Sequence, residues 1–235
     1  MYFKEPLLPT DKSNIFSLAP IPVWKETFDN DILHQYLYDL GFNNLTEAQK
    51  LMGQELPEQY DKERQANYNY QDKRQMWTEA TEYNPIGSRF YTPPNNFLEI
   101  DDHVVFYLKT QIRERFHKML DSLGHEHNQD SVITESWIQY YNPTAGRGHN
   151  QHNHCRWSPD EEPRMGFAGG YYLSDGEPIK DHPYSGAFCF HLRGMTHFIR
   201  PEKGLLMMWP NDIVHSVKPF YGKSHRCVIN FNIQV

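Results

Sequence analysis

Two hydrophobic periods divide this chain. From Asn30 to about Leu40 the apolar residues Ile32, Leu33, Tyr36, Leu37 and Leu40 recur at helical spacing, and Gly41 follows where a C-cap glycine belongs. The spacing predicts a helix there. A longer stripe of Val104, Val105, Leu108, Ile112, Phe116, Met119, Leu120 and Leu123 predicts a second helix over 101–123, closed by Gly124. Asn44–Leu51 carries a further helix start behind an Asn or Thr cap. After residue 130 the period shortens to that of strands, in short runs separated by Gly, Pro, Asn and Asp. The runs are 133–141, 150–156, 166–173, 187–192, 197–200, 205–209, 214–219 and 225–235. Ahead of the helices, 14–25 reads as extended chain at a sheet edge, because Pro20 and Pro22 cannot donate to a ladder. Residues 54–98 are polar and rich in aromatics without a sustained period, which predicts a segment that wraps or lids the domain. Strands following helices predict an α+β chain, a sandwich or open barrel backed by helices.

Composition narrows the class. A chain of 235 residues suits one domain with a real core. Here 1–130 would supply the edge strand, supporting helices and wrapping segment, and 131–235 the catalytic core. A net charge of -7 gives no basic field to hold phosphate backbones and weighs against a nucleic-acid partner. No apolar run reaches the length of a membrane span, and Met1–Pro6 lacks an apolar signal core, so a soluble, cytoplasmic protein is expected. The three cysteines, Cys155, Cys189 and Cys227, form neither a disulfide framework nor a zinc spacing and read as small apolar residues.

The candidate chemistry lies in the strand half. His152 and His154, two apart on an expected strand, would share one face and could grip one metal ion. His215, where an apolar run meets His-Ser-Val, is the best third ligand. Neutral imidazoles suit Fe(II), Zn, Cu and Ni better than Mg or Ca. In the final strand, alternation puts Arg226, Val228 and Asn230 on one face. An inward arginine among apolar neighbours needs an anion, either a small dicarboxylate ligand held by its planar fork or a protein Asp or Glu.

The ordered motifs carry a resemblance. His152-Asn153-His154, Gly169-Gly170-Tyr171-Tyr172-Leu173, Gly186-Ala187-Phe188-Cys189-Phe190, Gly204 through Pro210, His215-Ser216-Val217 and Arg226 through Asn232 together resemble the 2-oxoglutarate/Fe(II)-dependent oxygenases. The likeness is greatest to a branch related to the prolyl hydroxylases in which the first motif reads His-x-His. It covers 133–235 continuously, and Ile15 through Trp24 is similar to that branch's opening.

The resemblance implies a double-stranded β-helix, or jelly roll, in the C-terminal half, with Fe(II) and 2-oxoglutarate as cofactors and dioxygen as co-reactant. By it His152 and His215 match the catalytic metal histidines, and Arg226 the residue holding the distal carboxylate of 2-oxoglutarate. Tyr172 matches a donor to the same carboxylate, and Tyr141 a residue lining that pocket. The implied reaction hydroxylates an amino-acid side chain in a peptide, or a small molecule, and releases succinate and carbon dioxide. Two positions depart from the pattern. His154 stands where most relatives have Asp or Glu: either a third imidazole completes the metal set, or His154 stays off the metal and leaves a position for water or halide. Val228 stands where many relatives place Ser or Thr beside the arginine. His149 is a further candidate for touching 2-oxoglutarate or substrate. Other readings are a cupin-like three-histidine dioxygenase or isomerase that uses no oxoacid, and a binding module that kept the barrel without catalysis. Arg226 with Tyr172 argues against the former, and His152 with His215 against the latter.

Overall fold

In the computed structural model, which describes residues 15–18, 21–43, 89–91, 96–125, 127, 131–143, 148–155, 166–180 and 182–235, the helical stripes and the alternating runs become separate layers. The elements are β1 (Ile15–Leu18), β2 (Ile21–Thr27), α1 (Asp31–Asn43), β3 (Arg89–Tyr91), a 3₁₀ turn (Phe97–Glu99), α2 (His103–Ser122) and β4 (Val132–Tyr141). They continue as β5 (His149–His152), β6 (Gly166–Ser174), β7 (Phe188–Leu192), β8 (Met195–Ile199), β9 (Leu205–Pro210), β10 (His215–Val217) and β11 (Arg226–Gln234). The larger sheet runs β1-β2-β9-β6-β11-β4-β3 and the smaller β5-β10-β7-β8. Each strand pairs antiparallel to its neighbour. The expected helix start at Asn44 and residues 54–88 of the wrapping segment lie outside the described residues. Among the described residues, no helix is long and apolar enough to cross a membrane.

Strand alternation builds two cores from one sheet. On β11, Cys227, Ile229, Phe231 and Ile233 face α1 and α2, meeting Leu37, Leu108, Ile112 and Phe116. Val228 on the opposite face joins Tyr141, Tyr172, Phe188, Phe190 and Trp209, which come from both sheets. Burying each large apolar side chain contributes about 1.5–3 kcal/mol, so both faces of β11 anchor the fold. This explains why the strand has few exposed polar positions.

Helix α2 begins at Asp102, whose Oδ1 accepts from the backbone N–H of Val104 at 2.8 Å and of Val105 at 3.1 Å. It ends before Gly124, which adopts a φ of +70°. Helix α1 departs from the sequence expectation, because it runs on through Gly41 to Asn43. Gly41 is therefore a contact glycine and no cap. A Cβ there would lie 2.5 Å from the Tyr140 hydroxyl and 2.6 Å from Ile138 Cδ1. The Tyr140 hydroxyl already donates to the Tyr38 carbonyl at 2.7 Å, so it has little room to move. In Gly41→Ala a gain of about 1 kcal/mol in helix propensity competes with an overpacking cost of about 1–3 kcal/mol. The variant is expected to melt a few degrees lower; an unchanged or higher melting temperature would show that the helix–sheet contact yields freely.

Candidate metal centre and anion pocket

The smaller sheet brings the first two histidines together. In the β5–β10 register His215 stands opposite His152, and their ring centroids are 4.3 Å apart. His154 arrives differently from the expected strand alternation, since β5 ends at His152. Its backbone N–H instead donates to the Asn211 carbonyl at 2.8 Å, in the turn that leads into β10. This bond carries the ring to 5.2 Å from His152 and 5.0 Å from His215. One ligand atom from each of the three lies within 4.8 Å of the others, an arrangement that could hold a metal ion.

Hydrogen bonds orient all three rings alike. His152 Nδ1 is 2.8 Å from the Asn150 carbonyl oxygen, and His215 Nδ1 is 2.9 Å from that of Ile213. A carbonyl only accepts, so each Nδ1 carries the proton and the lone pair sits on Nε2. His154 Nδ1 is 2.7 Å from Asn232 Oδ1, with the same result. His215 is buried against Phe188, stacked at 5.2 Å, and Trp209 at 5.1 Å. Burial, reinforced by the neighbouring imidazoles of His152 and His154, pushes its pKa down to about 2. It is a neutral nitrogen donor at any ordinary pH, as a metal ligand must be.

The inward face of β4 gives each of its residues a partner. Glu135 meets Asn232, Trp137 stacks on His154 at 5.8 Å, Gln139 accepts from Asn230 at 3.3 Å, and the ring of Tyr141 lies under Arg226. Arg226 is 1% exposed, with its guanidinium carbon 4.5 Å from the Tyr141 ring centroid and 5.1 Å from that of Tyr172. Its Nη2 donates to the Tyr172 hydroxyl at 3.3 Å, whereas Nε and Nη1 are buried with no hydrogen-bond partner among the described residues. Burial pushes the Tyr172 phenol pKa up, against the pull of Arg226, so it remains a neutral hydroxyl. Among the described residues no carboxylate pairs with this guanidinium, and an unpaired buried cation is costly to keep. The pocket could therefore receive an anion. Gly186, at a φ of +63°, allows the close approach, since a Cβ there would meet Phe220 at 2.9 Å and Arg226 Cδ at 3.3 Å.

The structure thus gathers His152, His154 and His215 at one point and Arg226, Tyr172 and Tyr141 at another. Both line the space between the sheets, because Tyr141, Tyr172, Phe188 and Trp209 belong to one buried cluster. Val228 is buried opposite Tyr172 in the β6–β11 register and brings no hydroxyl. His149 sits beside the metal group, 4.0 Å from the His152 ring. Sequence reasoning missed Glu135, Trp137, Trp209 and Asn232. Alternation from Arg226 does place Asn232 on the inward face, and that signal could have found it. Cys155 follows His154 but is exposed.

No protein-family model matches the chain, and no curated protein sequence matches it. Solved structures share its fold. It is similar to the viral collagen prolyl hydroxylase of Paramecium Bursaria Chlorella virus-1, with 14% identity, a TM-score of 0.53, and 100% of this chain and 99% of that one covered. The same viral enzyme in complex with 2-oxoglutarate matches at 14% identity and a TM-score of 0.51, over 91% of this chain and 95% of that one. A Pseudomonas putida prolyl-4-hydroxylase matches at 16% identity and a TM-score of 0.49, over 92% and 93% of the two chains. The first two, each with a TM-score above 0.5, show a fold shared with that viral prolyl hydroxylase.

Proposed function

We propose that this protein is an Fe(II)- and 2-oxoglutarate-dependent oxygenase built on a jelly roll, which hydroxylates an amino-acid side chain in a peptide or a small molecule. The observation that carries the reading is Arg226: a fully buried guanidinium with two unpartnered nitrogens, in the same intersheet space as three histidines whose lone pairs sit on Nε2. The residues fit both cofactors. Three neutral nitrogens suit a divalent first-row metal such as Fe(II), and a planar fork with two unpartnered nitrogens suits a carboxylate. The shared fold of a viral prolyl hydroxylase solved with 2-oxoglutarate supports the same choice.

In this reading His152, His154 and His215 hold the metal through Nε2, and Arg226 holds the distal carboxylate of 2-oxoglutarate. Together the cofactors supply the oxidising power, consuming dioxygen and releasing succinate and carbon dioxide as a C–H bond is hydroxylated. The chain's own work is positional. Tyr172, which accepts from Arg226 Nη2, would donate its hydroxyl hydrogen to the carboxylate, and the Tyr141 ring stabilises the guanidinium from its face. Phe188 and Trp209 wall His215 from water. The buried Trp209 indole N–H, which has no partner among the described residues, offers one further donor inside the space.

A second reading has its own observation: His154 joins the group as a third neutral ligand, the set of a cupin-like dioxygenase or isomerase that uses no oxoacid. Anaerobic titration separates the two. Fe(II)-loaded protein is expected to develop a saturable visible charge-transfer band on addition of 2-oxoglutarate, and to form succinate when air is admitted. Iron-loaded protein that shows no band would overturn the oxygenase reading in favour of the cupin-like one.

A further inference from the structure

Three neutral imidazoles bring no negative charge to a dication. A hydrogen-bonded carboxylate stands one residue behind His154. Asn232 Oδ1 lies 2.7 Å from His154 Nδ1, and Asn232 Nδ2 donates to Glu135 Oε2 at 3.0 Å. The β4–β11 register places Glu135 directly opposite Asn232, so the chain of bonds is built into the sheet. A carboxylate accepts and does not donate, so Glu135 fixes which end of the Asn232 amide it receives. The amide oxygen must then face His154, Nδ1 must carry the proton, and the lone pair must sit on Nε2. His152 and His215 take the same tautomer from backbone carbonyls, which cannot rotate. His154 takes it from a side chain that can.

We infer that Asn232 and Glu135 are positioning residues that make His154 a metal ligand, with Glu135 supplying at a distance the negative charge that the ligand set lacks. The inference rests on reading the three histidines as a metal site; it does not require 2-oxoglutarate. Imidazole ligands are commonly held by an outer carboxylate, which fixes the ring and raises its basicity. Here an amide is interposed, and the amide turns an exchange of one neighbour into a switch of tautomer. In Glu135→Gln the new amide can donate as well as accept, so Asn232 can turn over and present its NH₂ group to His154. Nδ1 then accepts, Nε2 is protonated, and the ring cannot ligate.

The test uses Co(II) alone as probe, with three variants. Asn232→Leu removes the acceptor at similar volume and is expected to weaken Co(II) binding roughly 10- to 100-fold, the usual cost of losing an outer partner. Glu135→Gln is expected to weaken it less and, in metal-free protein, to convert the ¹⁵N signals of His154 from the pure Nδ1–H tautomer to a mixture. The double variant Asn232→Asp/Glu135→Gln moves the carboxylate one step inward and keeps every donor facing an acceptor. It is expected to recover wild-type affinity within a few-fold, which a merely structural role would not produce. Asn232→Leu with wild-type Co(II) affinity, or a double variant no better than Asn232→Leu, would overturn the inference. Should Asn232→Leu fail to fold, an unmixed Nδ1–H tautomer in Glu135→Gln does the same. Protein that binds Co(II) as described but shows no 2-oxoglutarate band with iron would sink the oxygenase reading and leave this one standing.

Discussion

Arg226→Ala is expected to eliminate 2-oxoglutarate binding at ordinary concentrations while leaving metal affinity within a few-fold. Truncating one partner of a buried, hydrogen-bonded charge pair costs about 2–5 kcal/mol, which corresponds to roughly a 30- to 5,000-fold rise in Kd. The upper part of that range is expected, because the guanidinium is 1% exposed and two of its nitrogens have no partner among the described residues. Arg226→Lys keeps a charge but loses the planar fork and its stacking on Tyr141 and Tyr172, so it should recover only part of the loss. Stability should move the other way. Without ligand the buried cation is unpaired, and Arg226→Met is expected to melt no lower than the wild type. Added 2-oxoglutarate should then raise the wild-type melting temperature alone, since only the wild type binds it. The charge-transfer titration measures the first effect and thermal melts the second; an unchanged Kd in Arg226→Ala would remove this residue from the cofactor site.

His215→Ala is expected to abolish tight metal binding, and turnover with it. His215 is the most enclosed of the three donors, 3% exposed and packed between Phe188 and Trp209. Water can occupy the lost position only poorly, because the walls are apolar. Losing it should cost more than the roughly 10- to 100-fold assigned to an outer partner, and more than His154→Ala, whose ring is half-buried at the edge of the group. Calorimetric titration with Co(II) or Fe(II) orders the variants. If His215→Ala binds metal as tightly as the wild type, the three histidines are not the metal site.

Much of the fold was legible along the chain, and the reason is local. The stripe from Val105 to Leu120 is buried as its period requires, and the alternation of β11 sends Cys227, Ile229, Phe231 and Ile233 one way and Arg226 and Val228 the other. Side-chain direction in a strand depends only on the count of residues, so an inward Arg226 could be read from sequence. The same reasoning brought His154 to the right group by the wrong route. Its strand stops two residues short, and a bond to Asn211 replaces the alternation that was expected to align it with His152. Gly41 failed for a related reason: a glycine near a helix end looks like a cap until the neighbour that forbids a side chain, Tyr140, is known.

By itself, then, the sequence determined the periods, the inward faces, and three histidines and an arginine with the chemistry of a metal and a carboxylate. The tertiary structure decided which of these meet. It set His215 against His152 across a strand pair, left two Arg226 nitrogens without a partner among the described residues, and placed Glu135 opposite Asn232 behind His154. Period and face follow from the geometry of adjacent residues. Register and enclosure depend on which distant strands pair, and Tyr141 at the end of β4 lies 85 residues before Arg226, its partner on β11.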